Sequence, residues 1–77
     1  MPVPLDQIPP GSRARIVQVF AGPRLSMRLY EMGLTPGTIV EMIANYRGPI
    51  LVRARGVTIA LGRGMAKKVL VELLDQH

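Results

Sequence analysis

Two pairs of arginines sit at alternating positions in β-prone segments, and this spacing could bind anions. Arg13 and Arg15 lie in one segment, and Arg53 and Arg55 lie in another. Residues two apart on a strand project from the same face, so each pair presents two guanidinium groups together. If the two strands are neighbours in a sheet, the four arginines form one basic face that could bind phosphates, including those of a nucleic acid.

The aromatic residues argue against single-stranded nucleic acid as the partner of that face. Folds that bind single strands stack the bases on aromatic rings. Phe20, Tyr30 and Tyr46 are the only aromatic residues, and they fall in three different segments. We therefore treat nucleic acid as the alternative partner, and expect the arginines to be solvated or to face another protein.

The residue types needed for catalysis or for a metal centre are scarce. The chain has no cysteine, and its one histidine is His77, the last residue. A catalytic triad needs a base beside a nucleophile, and structural zinc needs about four nitrogen or sulfur ligands. The five carboxylates show no acid–base spacing, apart from Glu72 and Asp75 near the end: they are Asp6, Glu31, Glu41, Glu72 and Asp75. We expect no enzyme activity, no cofactor and no metal site.

The composition is that of one small folded domain, which we place at residues 1–77. Hydrophobic residues make up 48% of the chain, and no apolar run approaches the roughly 18 residues that a membrane span needs. The net charge of +5 suits an acidic partner, although a surface charge of this size can also serve solubility alone. No signal peptide begins the chain, so we expect a cytoplasmic protein that is not embedded in a membrane.

Five segments of the chain favour β-strands. They are rich in β-branched residues, alternate apolar with polar side chains, and are bounded by glycine and proline turns. They cover residues 13–20, 38–46, 50–55, 57–61 and 67–74. Five strands of this length would bury little apolar surface if they formed a flat sheet. We therefore predict a mainly β fold, curled into a small, partly open barrel of about five strands.

Alternation within these segments predicts which side chains face the core. In the first strand it favours Ala14 and Ile16, and it breaks at Ile16 and Val17, which allows a bulge. In the other strands it favours apolar residues at every second position: Val40, Met42, Ala44, Ile50, Val52, Ala54, Val57, Ile59, Leu61, Val69, Val71 and Leu73.

One segment has helical periodicity, and it lies between the first and second predicted strands. Within residues 24–32, Leu25, Leu29 and Met32 recur at positions i, i+4 and i+7. This spacing places them on one face of a helix, which we predict to pack on the barrel. A helix of about nine residues is too short to be stable alone in water, so packing must hold it.

The end of this helix is also marked in the sequence. Gly33 follows the last periodic residue, and glycine readily reaches the left-handed backbone conformation that commonly ends a helix. We predict a positive φ at Gly33 and a contact across the cap between Leu34 and Leu29.

The flank of the helix offers a second surface. Met27 and Tyr30 lie beside the predicted core face, next to Arg24 and Arg28. Methionine is common on adaptable binding surfaces, and tyrosine combines apolar area with a polar tip. The two residues could form a docking site or could extend the contact with the barrel, and the sequence leaves both open.

Several of these segments together resemble the FeoA family, the small proteins of prokaryotic ferrous iron uptake. The residues that carry the resemblance are 11–16, 28–38, 48–50, 60–61, and Ala66 ahead of 69–71. The resemblance extends from about Leu5 to Leu73 and is most specific in 28–38, which contains the run Met-Gly-Leu-Thr-Pro-Gly-Thr. It implies an SH3-like barrel, which is also similar to the C-terminal domain of iron-dependent repressors.

The resemblance implies an accessory role. A FeoA-like protein would bind the cytoplasmic, GTPase-containing part of the membrane ferrous iron transporter and modulate it, lying at the inner face of the membrane through that partner. The helix and the turn after it are then the candidate partner surface, namely Met27, Arg28, Tyr30 and Thr35. Transition-metal binding is associated with the family, but the shortage of ligands in this chain predicts none.

The alternative function is that of a nucleic-acid-binding or transcription-regulating SH3-like module. Its working surface would be the basic face of Arg13, Arg15, Arg53 and Arg55. The 77 residues contain no winged-helix segment ahead of the barrel, so we expect the stand-alone form rather than a repressor. The sequence leaves open whether the protein forms a homo-oligomer.

Overall fold

The computed structural model of the protein describes residues 1–74, which form six strands and two helices. The strands are β1 (Val3–Pro4), β2 (Arg13–Val19), β3 (Ile39–Ala44), β4 (Ile50–Ala54), β5 (Val57–Leu61) and β6 (Val69–Leu73). Helix α1 (Pro23–Glu31) connects β2 to β3, and the single turn α2 (Arg63–Ala66) connects β5 to β6. A short 3-10 turn, Leu5–Gln7, follows β1.

All six strands belong to one antiparallel sheet in the order β1-β6-β2-β3-β4-β5. β1 and β5 are its two edges. Residues from β2 to β6 share one core with the 3-10 turn and both helices, so the sheet must curve around that core. The structure confirms the predicted mainly β architecture. The curved sheet is partly open, and α1 is the one helix of more than one turn among the described residues.

The structure adds one strand to the five that were predicted. In β1, Val3 pairs with Val71 and Pro4 pairs with Leu70. Proline is uncommon in strands, so the sequence did not predict β1. An edge strand tolerates proline because one side of it forms no ladder, where the missing N–H is not needed. The added strand places α1 between the second and third strands rather than between the first and second.

The core is aliphatic, because all three aromatic residues are exposed. The sheet contributes most of the residues that alternation predicted, among them Ile16, Met42 and Val52. The remaining core residues lie outside the sheet: Leu5, Ile8, Leu29, Leu34 and Ala66. The short helix α1 is therefore held by apolar contact with the barrel, as its length requires.

Three residues that periodicity placed in the core are exposed, and each lies at the end of its element. Met32 is 37% exposed, Val57 59% and Leu73 50%. Met32 follows the last turn of α1, where the chain reverses and Leu34 occupies the buried position instead. Val57 opens an edge strand and Leu73 ends β6.

The break in alternation near Val17 is a bulge. The pairing of β2 with β6 shifts register between Ile16 and Gln18, and Val17 is left 40% exposed. A second register shift lies in β3 between Met42 and Ala44. Bulges increase the local twist of a sheet, and these two help it to curve around the core.

Asn45, just beyond β3, ties the N-terminal segment to the sheet. Its side-chain amide donates hydrogen bonds to the carbonyls of Asp6 and Ile8, over 3.0 and 2.8 Å. These bonds hold the segment that carries Leu5 and Ile8 into the core.

Candidate partner-binding surface

Helix α1 turns one face to the core and the opposite face to solvent. Leu29 is buried and Leu25 packs partly buried against the same core. Each residue rotates the helix by about 100°, so Met27, two residues from both, points away from the barrel. Its side chain is 59% exposed. Met27 is not among the partly buried residues that pack against the core, which favours the docking alternative for this residue.

A shallow groove of about 390 Å³ lies on this solvent face. It is lined by Pro23, Arg24, Met27 and Arg28, whose spacing places them side by side on successive turns. The proline ring, the methionine and the aliphatic stems of the two arginines can supply an apolar lining while the guanidinium groups stay in water.

Tyr30 lies three residues beyond Met27 and is 42% exposed. Three of the four predicted partner-binding residues, Met27, Arg28 and Tyr30, are thus exposed on one short helix. The groove adds Pro23, and it adds Arg24, which was predicted only to lie next to Met27 and Tyr30. Pro23 and Arg24 lie four and three residues before Met27, and this helical spacing could have predicted that they join the same surface.

Thr35, the fourth predicted residue, lies in the turn after α1. Its hydroxyl is 3.0 Å from that of Thr38, and the Thr38 N–H donates to the Thr35 carbonyl over 3.0 Å. The carbonyl of Thr38 in turn accepts from the N–H of Ile16 in β2, over 2.9 Å. Because Thr35 is half-buried, its evident role is to hold the turn against the sheet.

The charge of Arg24 is unfavourable for a helix on its own. Arg24 is the second helical residue, and the first turn contains no acidic residue, although the positive end of the helix dipole favours acidic ones there. Arg24 is also four residues from Arg28, a spacing at which like charges repel by about 0.2–0.5 kcal/mol. Both arginines are exposed, so the groove is apolar with a positive rim.

The strand arginines are not on neighbouring strands, because β3 lies between β2 and β4. Glu41 of β3 is directly opposite Arg13 on one side and Arg53 on the other. Directly opposed residues of antiparallel strands have their side chains on the same face. A carboxylate therefore stands between the two guanidinium groups.

The other two strand arginines are also separated. Arg15 is opposite Ile39 of β3 and opposite Glu72 of β6. Arg55 is in the two-residue turn between β4 and β5, where it and Gly56 have φ values of 54° and 78°. Positive φ at both central residues is typical of a type I′ hairpin turn. Arg13, Arg15 and Arg53 thus share one face of the sheet with Glu41 between two of them, and the uninterrupted face of four arginines is not formed.

Within residues 1–74, no three His, Cys, Asp or Glu side chains are grouped so that they could hold a metal ion. His77 and Asp75, which the sequence analysis considered for metal and acid–base chemistry, lie outside the described residues. In the same part of the chain, neither helix has the length and apolar character needed to cross a membrane.

Comparison with known proteins relates the chain to one family. A family model described as FeoA domain matches residues 3–73. A Methanocaldococcus jannaschii protein, provisionally named Fe(2+) transport protein A, is 35% identical over 69 residues. The match covers 90% of this chain and 84% of that protein.

Solved structures share the fold. The crystal structure of an iron uptake regulatory protein, FeoA, has a TM-score of 0.89 at 36% identity, with 96% of this chain and 99% of that chain covered. The zinc-complexed FeoA of Stenotrophomonas maltophilia, described as a prokaryotic SH3 domain protein, has a TM-score of 0.80 at 29% identity, covering 91% and 89%. The SH3-like fold that the resemblance implied is confirmed.

The repressor IdeR of T. acidophilum shares the fold alone. Its TM-score is 0.86 at 22% identity, and the match covers 94% of this chain but 34% of the repressor chain. The similarity to a part of iron-dependent repressors, which the sequence indicated, is confirmed at the level of fold.

Proposed function

Because this chain belongs to the FeoA family, we propose that it acts in ferrous iron uptake as a non-enzymatic accessory protein of the cytoplasm. In this proposal its partner is the GTPase-containing cytoplasmic part of the membrane ferrous iron transporter. Support for the iron-uptake role comes from the named relatives in Fe(2+) transport and iron uptake regulation.

The observation that carries the choice of surface is Met27. A large apolar side chain, 59% exposed, lies in a groove on a helix whose opposite face is committed to the core. The proposed surface is Met27, Arg28 and Tyr30, together with Thr35 in the turn after α1. Binding energy in protein interfaces is concentrated in a few aromatic, arginine and well-packed apolar residues, and this surface contains all three types.

The test measures binding to the purified cytoplasmic domain of the transporter by isothermal titration calorimetry. Met27→Asp and Tyr30→Ala should each weaken binding by about 1–3 kcal/mol, which is roughly a 5- to 150-fold higher Kd. Neither side chain is part of the core, so the free energy of unfolding should stay within about 0.5 kcal/mol of wild type.

Tyr46→Ala is the matched control, since it removes the same side chain from a 75% exposed position outside α1. It should bind the transporter domain like wild type. The double variant Arg13→Glu, Arg53→Glu tests the alternative function on duplex and single-stranded DNA. The proposal is overturned if the wild type does not bind the transporter domain. It is also overturned if the α1 variants bind that domain normally while the arginine variant loses salt-dependent DNA binding.

A further inference from the structure

We propose that the partner segment seated in the α1 groove is acidic. It would place one apolar side chain against Met27 and carboxylates beside Arg24 and Arg28. The inference rests on the proposed function, and it specifies the chemistry of the segment that α1 recognises.

The apolar part of this recognition follows from the shape of the groove. At about 390 Å³ it lies near the lower end of the range typical of ligand pockets, roughly 300–1,000 Å³. The groove is shallow and lined by four residues of one helix, so it can accept an apolar side chain of a partner. Met27 is unbranched and flexible, so it can adapt to an aliphatic or an aromatic side chain.

The acidic part follows from the charges around the groove. Arg24 lies at the positive end of the helix dipole and four residues from Arg28, so α1 carries two unfavourable electrostatic interactions. Glu31 is three residues from Arg28, so its carboxylate can offset the positive charge of that arginine. No acidic residue lies three or four residues beyond Arg24, so the charge of Arg24 has no such partner on the helix. A partner carboxylate beside Arg24 would relieve both interactions at once.

Other occupants fit the groove less well. A second copy of this chain carries the same net charge of +5, and would bring like charge to a positive rim. Nucleic acid would match the charge, but its phosphates and sugars offer no apolar side chain for the lining. An acidic protein segment with one apolar residue matches both features.

The first experiment measures the Kd for the transporter's cytoplasmic domain across a salt series, at about 50 to 500 mM, where screening becomes strong. Wild-type affinity should fall as salt rises. Arg24→Glu and Arg28→Glu should each raise the Kd at least about tenfold at low salt, and should flatten the salt dependence. Arg53→Glu makes the same charge reversal on the sheet, and should change the Kd by less than about twofold.

The second experiment does not depend on the transporter. Two synthetic peptides share a central leucine, flanked by glutamates in one and by lysines in the other, and the Met27 methyl NMR signal reports on the groove. The glutamate peptide should shift this signal in wild type but not in the double variant Arg24→Glu, Arg28→Glu. The lysine peptide should leave it unchanged.

The outcomes separate this inference from the proposed function. If the transporter domain does not bind but the glutamate peptide shifts the Met27 signal, the choice of partner is wrong and the acidic specificity of the groove stands. If the transporter domain binds through Met27 with no salt dependence, and the two peptides behave alike, the acidic specificity is wrong and the proposed function stands.

Discussion

The backbone N–H of Leu34 donates to the carbonyl of Leu29 over 2.9 Å, and both side chains are fully buried. Gly33 lies between them with a φ of 91°, and its own N–H donates to the Tyr30 carbonyl over 2.9 Å. These two bonds form the Schellman motif at the end of a helix. The predicted cap is confirmed, and it ends α1 while carrying the chain back into the core.

Replacing Gly33 should destabilise the protein through backbone strain. Apart from the neighbouring residues of the chain, no atom lies within 4 Å of the position that a Cβ would occupy, so the Cβ itself has room. We expect Gly33→Val to lower the free energy of unfolding by about 1–3 kcal/mol, measured by urea denaturation. Gly64→Ala, at an equally open helical glycine without a positive φ, should be neutral or stabilising. Equal stability of the Gly33 variant and wild type would contradict the left-handed cap.

Removing the amide of Asn45 should loosen the N-terminal segment. Asn45→Ala deletes the donor to two carbonyls, at Asp6 and Ile8, and should lower the free energy of unfolding by about 1–3 kcal/mol. Asn45→Asp should cost more, because a carboxylate cannot donate and repels both carbonyl oxygens. Limited proteolysis should cleave the segment around residues 5–8 faster in both variants. Unchanged cleavage would show that these bonds do not anchor the segment.

Reversing the charge of Glu41 should create the basic face that the fold interrupts. Glu41→Arg places a third guanidinium between Arg13 and Arg53. We expect it to elute from heparin at clearly higher salt than wild type, because clustered arginines bind polyanions. Glu31→Arg makes the same net charge change on α1 and should elute earlier than Glu41→Arg. If the two variants elute together, net charge alone controls polyanion binding.

The dialysed protein should retain no stoichiometric transition metal. The chain has no cysteine and one histidine, so one copy cannot supply the roughly four nitrogen or sulfur ligands of structural zinc. Mass spectrometry of the metals in dialysed wild type and in His77→Ala should show substoichiometric amounts in both. Stoichiometric metal in wild type that disappears in His77→Ala would overturn this prediction and assign the site to the terminus.

Much of the local structure is determined by the sequence alone. Ile50, Val52 and Ala54 are buried as their alternation predicts, because successive strand residues must point to opposite faces. The end of α1 follows from Gly33, since glycine reaches a positive φ more easily than other residues do. Met27 is outward because it is two residues from Leu29 on the same helix. Each of these features depends on residues within a few positions of one another.

The strand order and the depth of burial were decided only by the tertiary structure. Arg13 and Arg53 both point outward as predicted, yet Glu41 separates them because β3 is inserted between β2 and β4. Periodicity assigns a side chain to a face, but which strands become neighbours depends on how all of them together bury one core. The exposure of Val57 has the same origin, since β5 is the outermost strand on its side of the sheet. The α1 groove, likewise, faces solvent only because the barrel covers the opposite side of the helix.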